Sequence, residues 1–561
     1  MINPAEGQKL THNEIIKEAI PTLAGTIAQT LNEPGTDRFS EDDAQFLKFH
    51  GVYQQDDRDL RKTGKKYILM VRLRVPGGVM TPAQYLTCDD LAARYGNDTL
   101  RVTSRQSFQF HGVVKSGLGP LIKSLNQALL TTLSACGDVN RNVMAPPTPV
   151  MNSLGDQVHE AARQVASALS PKTPAYHAIW VEGVQLKLED PVNSDFVDPL
   201  YGKTYLPRKF KVGFVIPPLN DVDIFTNCCG FIAIADAKGR LMGFNLTAGG
   251  GMGRSHGNEA TFPRVADVIG FLPPDKVVEV ARAVLTIHRD FGGRTDRKHA
   301  RLKYVLADRG AAWFREELER RLGFKFDEPQ PFKFEKQGDA FGWHQQKDGR
   351  LFLGLFVETG RIKDREGWRI KTALRQVVEE YQPEIHLTPA NNIILANIAP
   401  AHQAEITKLF ADHGVQIDHQ GSLLRRASMA CVALPTCGLA LAESERYLPD
   451  LITRIETLLA ELGLRDEEIT IRMTGCPNGC ARPYMAEIGF VGKAPGRYQI
   501  YLGGHQASTR LNRLFRDNVK DPDIINELRP VVARFARERL GGERFGDWCA
   551  RVLWKEPAAA N

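Results

Sequence analysis

Four of the nine cysteines lie in two short segments whose spacing suits a metal centre. Cys431 and Cys437 have five residues between them in CVALPTC, and Cys476 and Cys480 have three in CPNGC. Four thiolates bind either zinc or an iron–sulfur cluster. Structural zinc sites more often use two tight pairs of cysteines. The wider spacings, on segments with proline and small residues, favour a [4Fe–4S] cluster, and zinc or four unrelated buried thiols are the alternatives.

A second segment, RVTSRQSFQFHG at residues 101–112, predicts a row of hydrogen-bond donors. Side chains alternate between the two faces of a strand. If the segment is one continuous strand, one face ends in phenylalanines that can join a core. The other face carries Arg101, Thr103, Arg105, Ser107, Gln109 and His111. A solvated strand face would also be polar, but it would more often include acidic residues and lysine, so the row indicates an anionic ligand.

Three further segments are rich in cations. MVRLRVPGG contains Arg72, DVNRNV contains Arg141, and LPRKFK contains Arg208, Lys209 and Lys211. A single arginine or lysine side chain is most often a charge exposed to solvent. Taken together, with few acidic residues nearby, they also predict a negatively charged ligand.

Composition excludes several other classes of protein. The chain has 561 residues, of which 43% are hydrophobic and 25% charged, as in globular proteins with several domains. A net charge of +6 is too mild and too evenly spread to predict nucleic-acid binding. No apolar run reaches the length of a membrane span, and the N-terminal residues lack the apolar region of a signal peptide. We therefore expect a cytoplasmic protein without a membrane partner.

Nucleotide-binding motifs are missing from the sequence. The glycine-rich stretch GFNLTAGGGMGRSHG fits neither the dinucleotide pattern G-x-G-x-x-G nor a phosphate-binding loop, since no GK[ST] follows it. We therefore expect no flavin or NADPH site on this chain.

An internal repeat organises the chain. TLRVTSRQSFQFHGV at residues 99–113 resembles EIHLTPANNIILANI at residues 384–398, and each follows an apolar strand and a helical pattern. The repeat predicts two halves related by a pseudo-twofold axis, with chance similarity as the alternative. The donor row is largely lost in the second copy, so only one half is expected to hold the ligand. Its matching residues are His386, Thr388, Ala390, Asn392, Ile394 and Ala396.

We predict five segments along the chain. The first is charged and loop-like, which indicates an extension that could dock a partner. The segments are an N-terminal arm at 1–65, a first ferredoxin-like repeat at 66–135, a first ligand-binding α/β domain at 136–345, a second ferredoxin-like repeat at 346–415, and a domain with the four cysteines at 416–561.

These segments together resemble the siroheme-containing sulfite and nitrite reductase family, and most closely its assimilatory sulfite reductase hemoproteins. The motifs that carry the resemblance are FHGVYQQDDRD, SRQSFQFHG, NRNV, YLPRKFK, GGGMGRSHG, TDRK, SMACVALPTC and TGCPNGCARPYMAEIGFVGKAPGRY. The resemblance implies an α+β fold of two pseudo-twofold-related halves. Each half would combine a small ferredoxin-like domain with a larger mixed-sheet domain that binds siroheme and the cluster.

The resemblance also implies the cofactors and the residues that hold them. All four cysteines would ligate one [4Fe–4S] cluster, and Cys480 would also be the axial ligand of one siroheme iron. Sulfite would be bound by Arg72, Arg141, Lys209 and Lys211. The siroheme carboxylates would be met by Arg101, Thr103, Arg105, Ser107, Gln109, His111, Arg208 and Asn478.

The implied function is the six-electron reduction of sulfite to sulfide in cysteine biosynthesis. YQQDDRD is similar to hemoproteins that pair with an NADPH-oxidising flavoprotein, whereas GGGMGRSHG and GCARPYMAE are as similar to ferredoxin-dependent enzymes. We expect the flavoprotein as electron donor, with ferredoxin as the alternative. A siroheme nitrite reductase and a non-catalytic iron–sulfur electron carrier are the other two hypotheses.

Overall fold

Two five-stranded sheets of the same topology confirm the predicted repeat. A computed structural model describes residues 9–149, 153–183, 195–418 and 420–555. The first sheet has the order β1-β2-β5-β4-β12, and the second has the order β10-β11-β14-β13-β3. The strands of the first are β1 (Val52–Asp56), β2 (Tyr67–Arg72), β5 (Phe108–Val113), β4 (Leu100–Val102) and β12 (Arg361–Ile362). Those of the second are β10 (Gly342–Gln345), β11 (Leu351–Leu355), β14 (Ile393–Ile398), β13 (Glu384–Leu387) and β3 (Val79–Met80).

The two halves exchange one strand each. β3, from the first half of the chain, pairs with β13 at the edge of the second sheet, while β12, from the second half, pairs with β4 in the first. Each exchanged strand follows a tight turn, at Pro76–Gly78 or Glu358–Gly360. The exchange joins the halves through backbone hydrogen bonds, so neither sheet is complete without the other half.

The prediction of one continuous strand over residues 101–112 is wrong, because the segment is a hairpin. β4 ends at Val102 and β5 begins at Phe108, and Gln106 between them has a left-handed φ of 52°. The second copy repeats this turn, with Asn391 at a φ of 75°. The short polar run TSRQS favours a turn because serine and threonine can hydrogen-bond the local backbone. The six polar residues therefore do not share one flat face.

The larger sheets are also duplicated. A four-stranded sheet has the order β6-β7-β8-β9 and a five-stranded sheet the order β15-β16-β17-β18-β19. In each, a parallel pair (β6–β7 or β16–β17) is followed by two antiparallel pairs. The strands are β6 (Val212–Val215), β7 (Cys229–Ala235), β8 (Leu241–Ala248), β9 (Asp267–Leu272), β15 (Ser428–Ala430), β16 (Ile471–Thr474), β17 (Ile488–Ala494), β18 (Arg497–Leu502) and β19 (Arg513–Lys520). The mixed α+β class predicted for the chain is thereby confirmed.

Amphipathic helices cover these sheets and complete two main cores. One core runs through both small sheets and the four-stranded sheet, and the other lies under the last five-stranded sheet. No helix of the described ranges has the length and apolarity that crossing a bilayer requires. The helices are α1 (His12–Ala19), α2 (Ile27–Asn32), α3 (Glu41–Phe49), α4 (Pro82–Tyr95), α5 (Lys115–Gln127), α6 (Ser153–Ala168), α7 (Ala175–His177), α8 (Val277–Phe291), α9 (Leu302–Arg309), α10 (Ala311–Leu322), α11 (Ile370–Tyr381), α12 (Gln403–Asp412), α13 (Leu423–Arg426), α14 (Leu448–Glu461), α15 (Ile524–Glu538) and α16 (Phe545–Trp548).

The N-terminal region is not loop-like, contrary to the sequence-based expectation. From His12 onward it forms α1 to α3 and then β1, which pairs with β2 along its whole length. Ile27 and Phe46 are fully buried in the larger core. Some of the charges that suggested a loop are themselves buried, since Lys17 pairs with Glu14 and Asp43 accepts from the backbone N–H of Thr26. Residues 1–8 of the predicted arm lie outside the described residues, and the five domain boundaries stay a prediction.

Candidate active site

The four cysteines come from two loops at one edge of the last sheet. β15 ends one residue before Cys431 and β16 ends two residues before Cys476. Because β15 and β16 are parallel, both loops leave the same end of the sheet. The backbone N–H of Gly475 lies 3.4 Å from the Cys431 sulfur, and the Asn478 amide nitrogen lies 3.4 Å from the Cys476 sulfur.

The electrostatics of the four thiols fit a positively charged metal cluster. Burial, together with the neighbouring Cys480 and Cys437, raises the pKa of Cys476 to about 12. Burial and the same neighbours also raise the pKa of Cys431. Four thiolates at this spot therefore repel one another unless a cation compensates them, which iron–sulfur ligation does. Among the described residues, no three potential ligands are grouped as they would be around a single metal ion.

A group of cations, referred to below as the cation pocket, lies near Cys480. Burial, together with the positive charges of Arg208 and Arg301, lowers the pKa of Lys209 to about 7, although Cys480 opposes the shift. Burial and the charge of Arg105 lower the pKa of Lys211 well below its usual range. These lysines make no ion pair with a carboxylate among the described residues. Closely packed cations of this kind require a polyanionic ligand to be stable.

Arg105 and Arg208 extend this pocket. The Arg105 guanidinium donates to the carbonyl of Asn142 at 2.6 Å and to the side-chain oxygen of Asn227 at 2.9 Å, both uncharged acceptors. Burial lowers the pKa of Arg105 to about 9. Arg208 is half-buried, and its nearest described carboxylate is Asp138, 4.0 Å away. Thr103 lies in the same turn as Arg105, whose backbone N–H donates to the Thr103 hydroxyl at 3.3 Å.

Arg72 is held by neutral partners, so its charge remains available for an anion. Its guanidinium lies 3.1 Å from the Cys136 sulfur and 5.9 Å from the centre of the Tyr53 ring. Gln109, paired with it across β2 and β5, accepts from its Nε at 3.1 Å through the amide oxygen. Arg141 also has a neutral partner, because its guanidinium donates to the carbonyl of Gly137 at 2.8 Å.

Three residues predicted to bind siroheme have other partners in the structure. Arg101 donates to Glu445 at 3.0 Å and to the carbonyl of Ala430, next to Cys431, at 2.8 Å. Arg361, from the exchanged strand β12, also pairs with Glu445 and lies 3.0 Å from the His111 Nδ1. The Ser107 hydroxyl donates to the carbonyl of Leu73. A role for Arg101, Ser107 and His111 in contacting siroheme stays a prediction.

Several residues of the site are missing from the sequence-based set. Arg301 and Lys303 lie beside the motif TDRK, and Lys303 donates to the carbonyls of Gly253 at 2.7 Å and Gly251 at 3.2 Å. These bonds hold the glycine-rich loop against CPNGC, where Arg254 N donates to the carbonyl of Pro477 at 2.9 Å. The cations that follow this motif in HARLK were available in the sequence to indicate Arg301 and Lys303. Nothing comparable indicated Glu445, which lies in an ordinary charged stretch.

One buried ion pair lies between equivalent positions of the two halves. Asp223 and Arg482 each have a left-handed backbone just before a short 3₁₀ turn, Ile224–Thr226 or Pro483–Met485. The two side chains form an ion pair with each other. Arg482 also donates to the carbonyls of Ser104 at 3.0 Å and Pro389 at 2.9 Å, which are equivalent residues of the two hairpins. The pair therefore lies close to the pseudo-twofold axis and fixes the halves beside the pocket.

The fold and the site define a class of protein in which four neighbouring thiols adjoin a buried group of cations without carboxylate partners among the described residues. A family model described as the nitrite/sulfite reductase ferredoxin-like half domain matches residues 61–128 and again residues 344–413. A second, described as the nitrite and sulphite reductase 4Fe-4S domain, matches residues 160–326. The chain belongs to the nitrite and sulfite reductase family.

Similar proteins match over almost their full length. The chain is 47% identical to the "Sulfite reductase [NADPH] hemoprotein beta-component" of Staphylococcus saprophyticus, over 97% of this chain and 96% of the relative. It is 50% identical to the protein of the same name from Methylobacterium sp., over 98% and 91%. The solved structure of the Mycobacterium tuberculosis NirA protein matches with a TM-score of 0.80 and 26% identity, over 98% of this chain and 99% of that one.

Proposed function

We propose that this protein reduces sulfite to sulfide with six electrons, as an assimilatory enzyme of cysteine biosynthesis. The observation that carries the proposal is the cation pocket beside Cys480. Arg72, Arg141, Lys209 and Lys211 converge there, and none has a carboxylate partner among the described residues. An oxyanion with two negative charges supplies the missing counter-charge. The relatives named above are sulfite reductases, which supports the same substrate.

The net reaction consumes six electrons and eight protons for each sulfite, and it releases one hydrogen sulfide and three waters. Three sulfur–oxygen bonds break. Negative charge develops on each departing oxygen, which must be protonated to leave as water. Arg72 and Arg141 hold these oxygens and stabilise the charge that develops on them. Lys209, in the same group of cations, would donate a proton to an oxygen that leaves as water.

Siroheme, when bound, supplies the iron that takes the sulfur of sulfite, and the [4Fe–4S] cluster stores electrons beside it. The cations Arg105 and Arg208 and the polar groups of Thr103, Gln109 and Asn478 would meet the siroheme carboxylates. Cys480, at the mouth of the pocket, would ligate both metal centres. One siroheme per chain is expected, because the second hairpin has Ala390 where the first has Arg105.

The electron donor in this proposal is an NADPH-oxidising flavoprotein. The relatives carry NADPH in their name, and this chain contains no flavin or dinucleotide motif of its own. Ferredoxin is the alternative donor. The proposal also places the protein in the cytoplasm, where reduced thiols and NADPH are available.

The test is turnover by the purified protein with a reduced viologen dye as donor. We expect a siroheme absorption band, stoichiometric sulfide, and a higher kcat/KM for sulfite than for nitrite. A preference for nitrite would identify a nitrite reductase. A coloured protein without turnover would identify an electron carrier, and a colourless zinc-containing protein would overturn the proposal.

A further inference from the structure

The cysteine loop reaches the surface close to Cys437. Leu439, two residues later, is 65% exposed, one of the most exposed large apolar side chains of the described residues. Gly438 between them faces open space, since a Cβ placed on it would have no atom within 4 Å. The loop that carries Cys437 is therefore open to solvent at Gly438 and Leu439.

The segment after β1 lies against this loop. Arg58 donates from its backbone N–H to the carbonyl of Pro435 at 3.2 Å and from its side chain to the carbonyl of Gly438 at 3.3 Å. Leu60, two residues on, is 43% exposed. The two exposed leucines thus belong to one surface, although nearly 380 residues separate them in the chain.

Three lysines follow Leu60 in the same exposed segment. Lys62, Lys65 and Lys66 are exposed, and none has an ion-pair partner among the described residues. Arg61 binds Asp56, and Asp59 lies 2.9 Å from Arg446, while Asp57 and Arg58 have no ion-pair partner among the described residues and offset each other in charge. The segment that carries Leu60 therefore has a net positive charge from its three lysines. An apolar centre with a charged rim is the usual composition of a transient protein interface.

We propose that Leu60, Lys62, Lys65, Lys66 and Leu439 form an electron-entry patch for an acidic flavin-bearing domain of the electron donor. The inference rests on the proposed function, which requires six electrons from outside the chain. Electron transfer slows steeply with distance, so a donor has to approach the cluster closely, and Gly438 permits that approach. The lysines would attract an acidic rim around the donor's flavin and raise the association rate.

The experiment compares two donors on the same variants of the cofactor-loaded protein. The variants are the triple change K62E/K65E/K66E and the single change Leu439→Asp, with Lys238→Glu, in the turn between β7 and β8, as the matched control. The donors are reduced viologen and the purified NADPH-oxidising flavoprotein component of a sulfite reductase. We expect kcat/KM for the flavoprotein to fall about tenfold or more in both test variants, through weaker association. Viologen-driven turnover should remain within about twofold of wild type, because the dye needs no docking.

High salt provides a second readout. At about 0.5 M salt, screening should remove most of the difference between wild type and the triple lysine variant. Unchanged flavoprotein-driven rates in both test variants would overturn the electron-entry patch, as would an equal loss in Lys238→Glu. A reduced ferredoxin serves as a third donor, and loss of rate in the test variants with ferredoxin alone would overturn the choice of a flavoprotein. Failure of the proposed function is distinguishable, because viologen would then drive no sulfite reduction in the wild-type protein.

Discussion

Lys211 is the residue at which substrate preference can be tested most directly. It lies beside Lys209 and Arg105 and has no described carboxylate partner. Lys211→Asn removes one positive charge and keeps a polar side chain. We expect kcat/KM for sulfite to fall by one to two orders of magnitude, or about 1.4–2.7 kcal/mol. Nitrite, a monoanion, should lose less because it needs less positive charge. Steady-state kinetics on both anions with a viologen donor measure the ratio, and an unchanged ratio would contradict a role for Lys211 in preference.

Glu445 should make folding sensitive to acid. It is buried between Arg101 and Arg361, and those two charges hold its pKa at about 2 against burial. A carboxyl with a depressed pKa in the folded state contributes stability above its unfolded pKa of about 4.5, and loses it as the pH falls toward the folded value. The contribution at neutral pH is about 3 kcal/mol.

Glu445→Gln tests this linkage. We expect a lower Tm at pH 7, since two buried arginines lose their counter-charge. We also expect a flatter decline of Tm between pH 4.5 and pH 3 than in the wild type, because the titrating group is gone. Glu366→Gln, at an exposed position, is the control. Parallel Tm curves for the wild type and Glu445→Gln would show that another group governs acid stability.

At the scale of the elements, the exchanged strands depend on two glycines in equivalent positions. Gly78 and Gly360 have φ values of 76°, a left-handed conformation that disfavours other residues. A Cβ on Gly78 would lie 2.6 Å from the carbonyl of Leu387, and one on Gly360 would lie 2.9 Å from that of Val102. Both glycines thus allow the tight turn after which the chain continues as a strand in the sheet of the other half.

Gly360→Ala should therefore destabilise the fold by roughly 2–4 kcal/mol, from backbone strain and from the clash with the neighbouring hairpin. Gly35→Ala is the control, because a Cβ there meets nothing within 4 Å and its φ is not left-handed. It should change stability by no more than about 0.5 kcal/mol. Thermal or denaturant unfolding measures both. A loss in Gly360→Ala no larger than in the control would mean that the turn relaxes, and that the strand exchange does not depend on it.

At the scale of the whole molecule, the N-terminal region belongs to the catalytic fold. It supplies β1 to the first sheet and delivers Tyr53 to the ring contact with Arg72. Upstream of β1, Ile16, Leu23 and Ile27 are buried in the larger core, so deletion of residues 1–45 should abolish viologen-driven turnover and most soluble expression. Ile27→Ala, a milder change at a fully buried position, should cost about 2–5 kcal/mol and lower the Tm. A soluble, siroheme-loaded deletion variant with normal dye activity would restore the interpretation of this region as a docking arm.

The sequence by itself determined the chemistry of the site. The two cysteine pairs lie on loops of one region, and their spacing is a local property that a single sequence shows. The repeat was also visible, because both hairpins kept the same turn pattern, and the structure bears this out down to Gln106 and Asn391. Clusters such as RKFK indicated an anionic ligand, since so many cationic residues without acidic neighbours rarely occur by chance.

Only the tertiary structure decided how these residues are shared between ligand and scaffold. Arg101 was expected in the same row as Arg105, yet it pairs with Glu445, which is 344 residues away in the chain. Asp223 and Arg482 meet across the pseudo-twofold axis in the same way. Such pairs form only where the fold brings distant residues together. Electrostatic attraction depends on the distance between two charges in space, and that distance cannot be read from the local sequence. Which residues are buried also depends on the path of the whole chain. The short charged helices of the N-terminal region gave no local indication of the core that they cover.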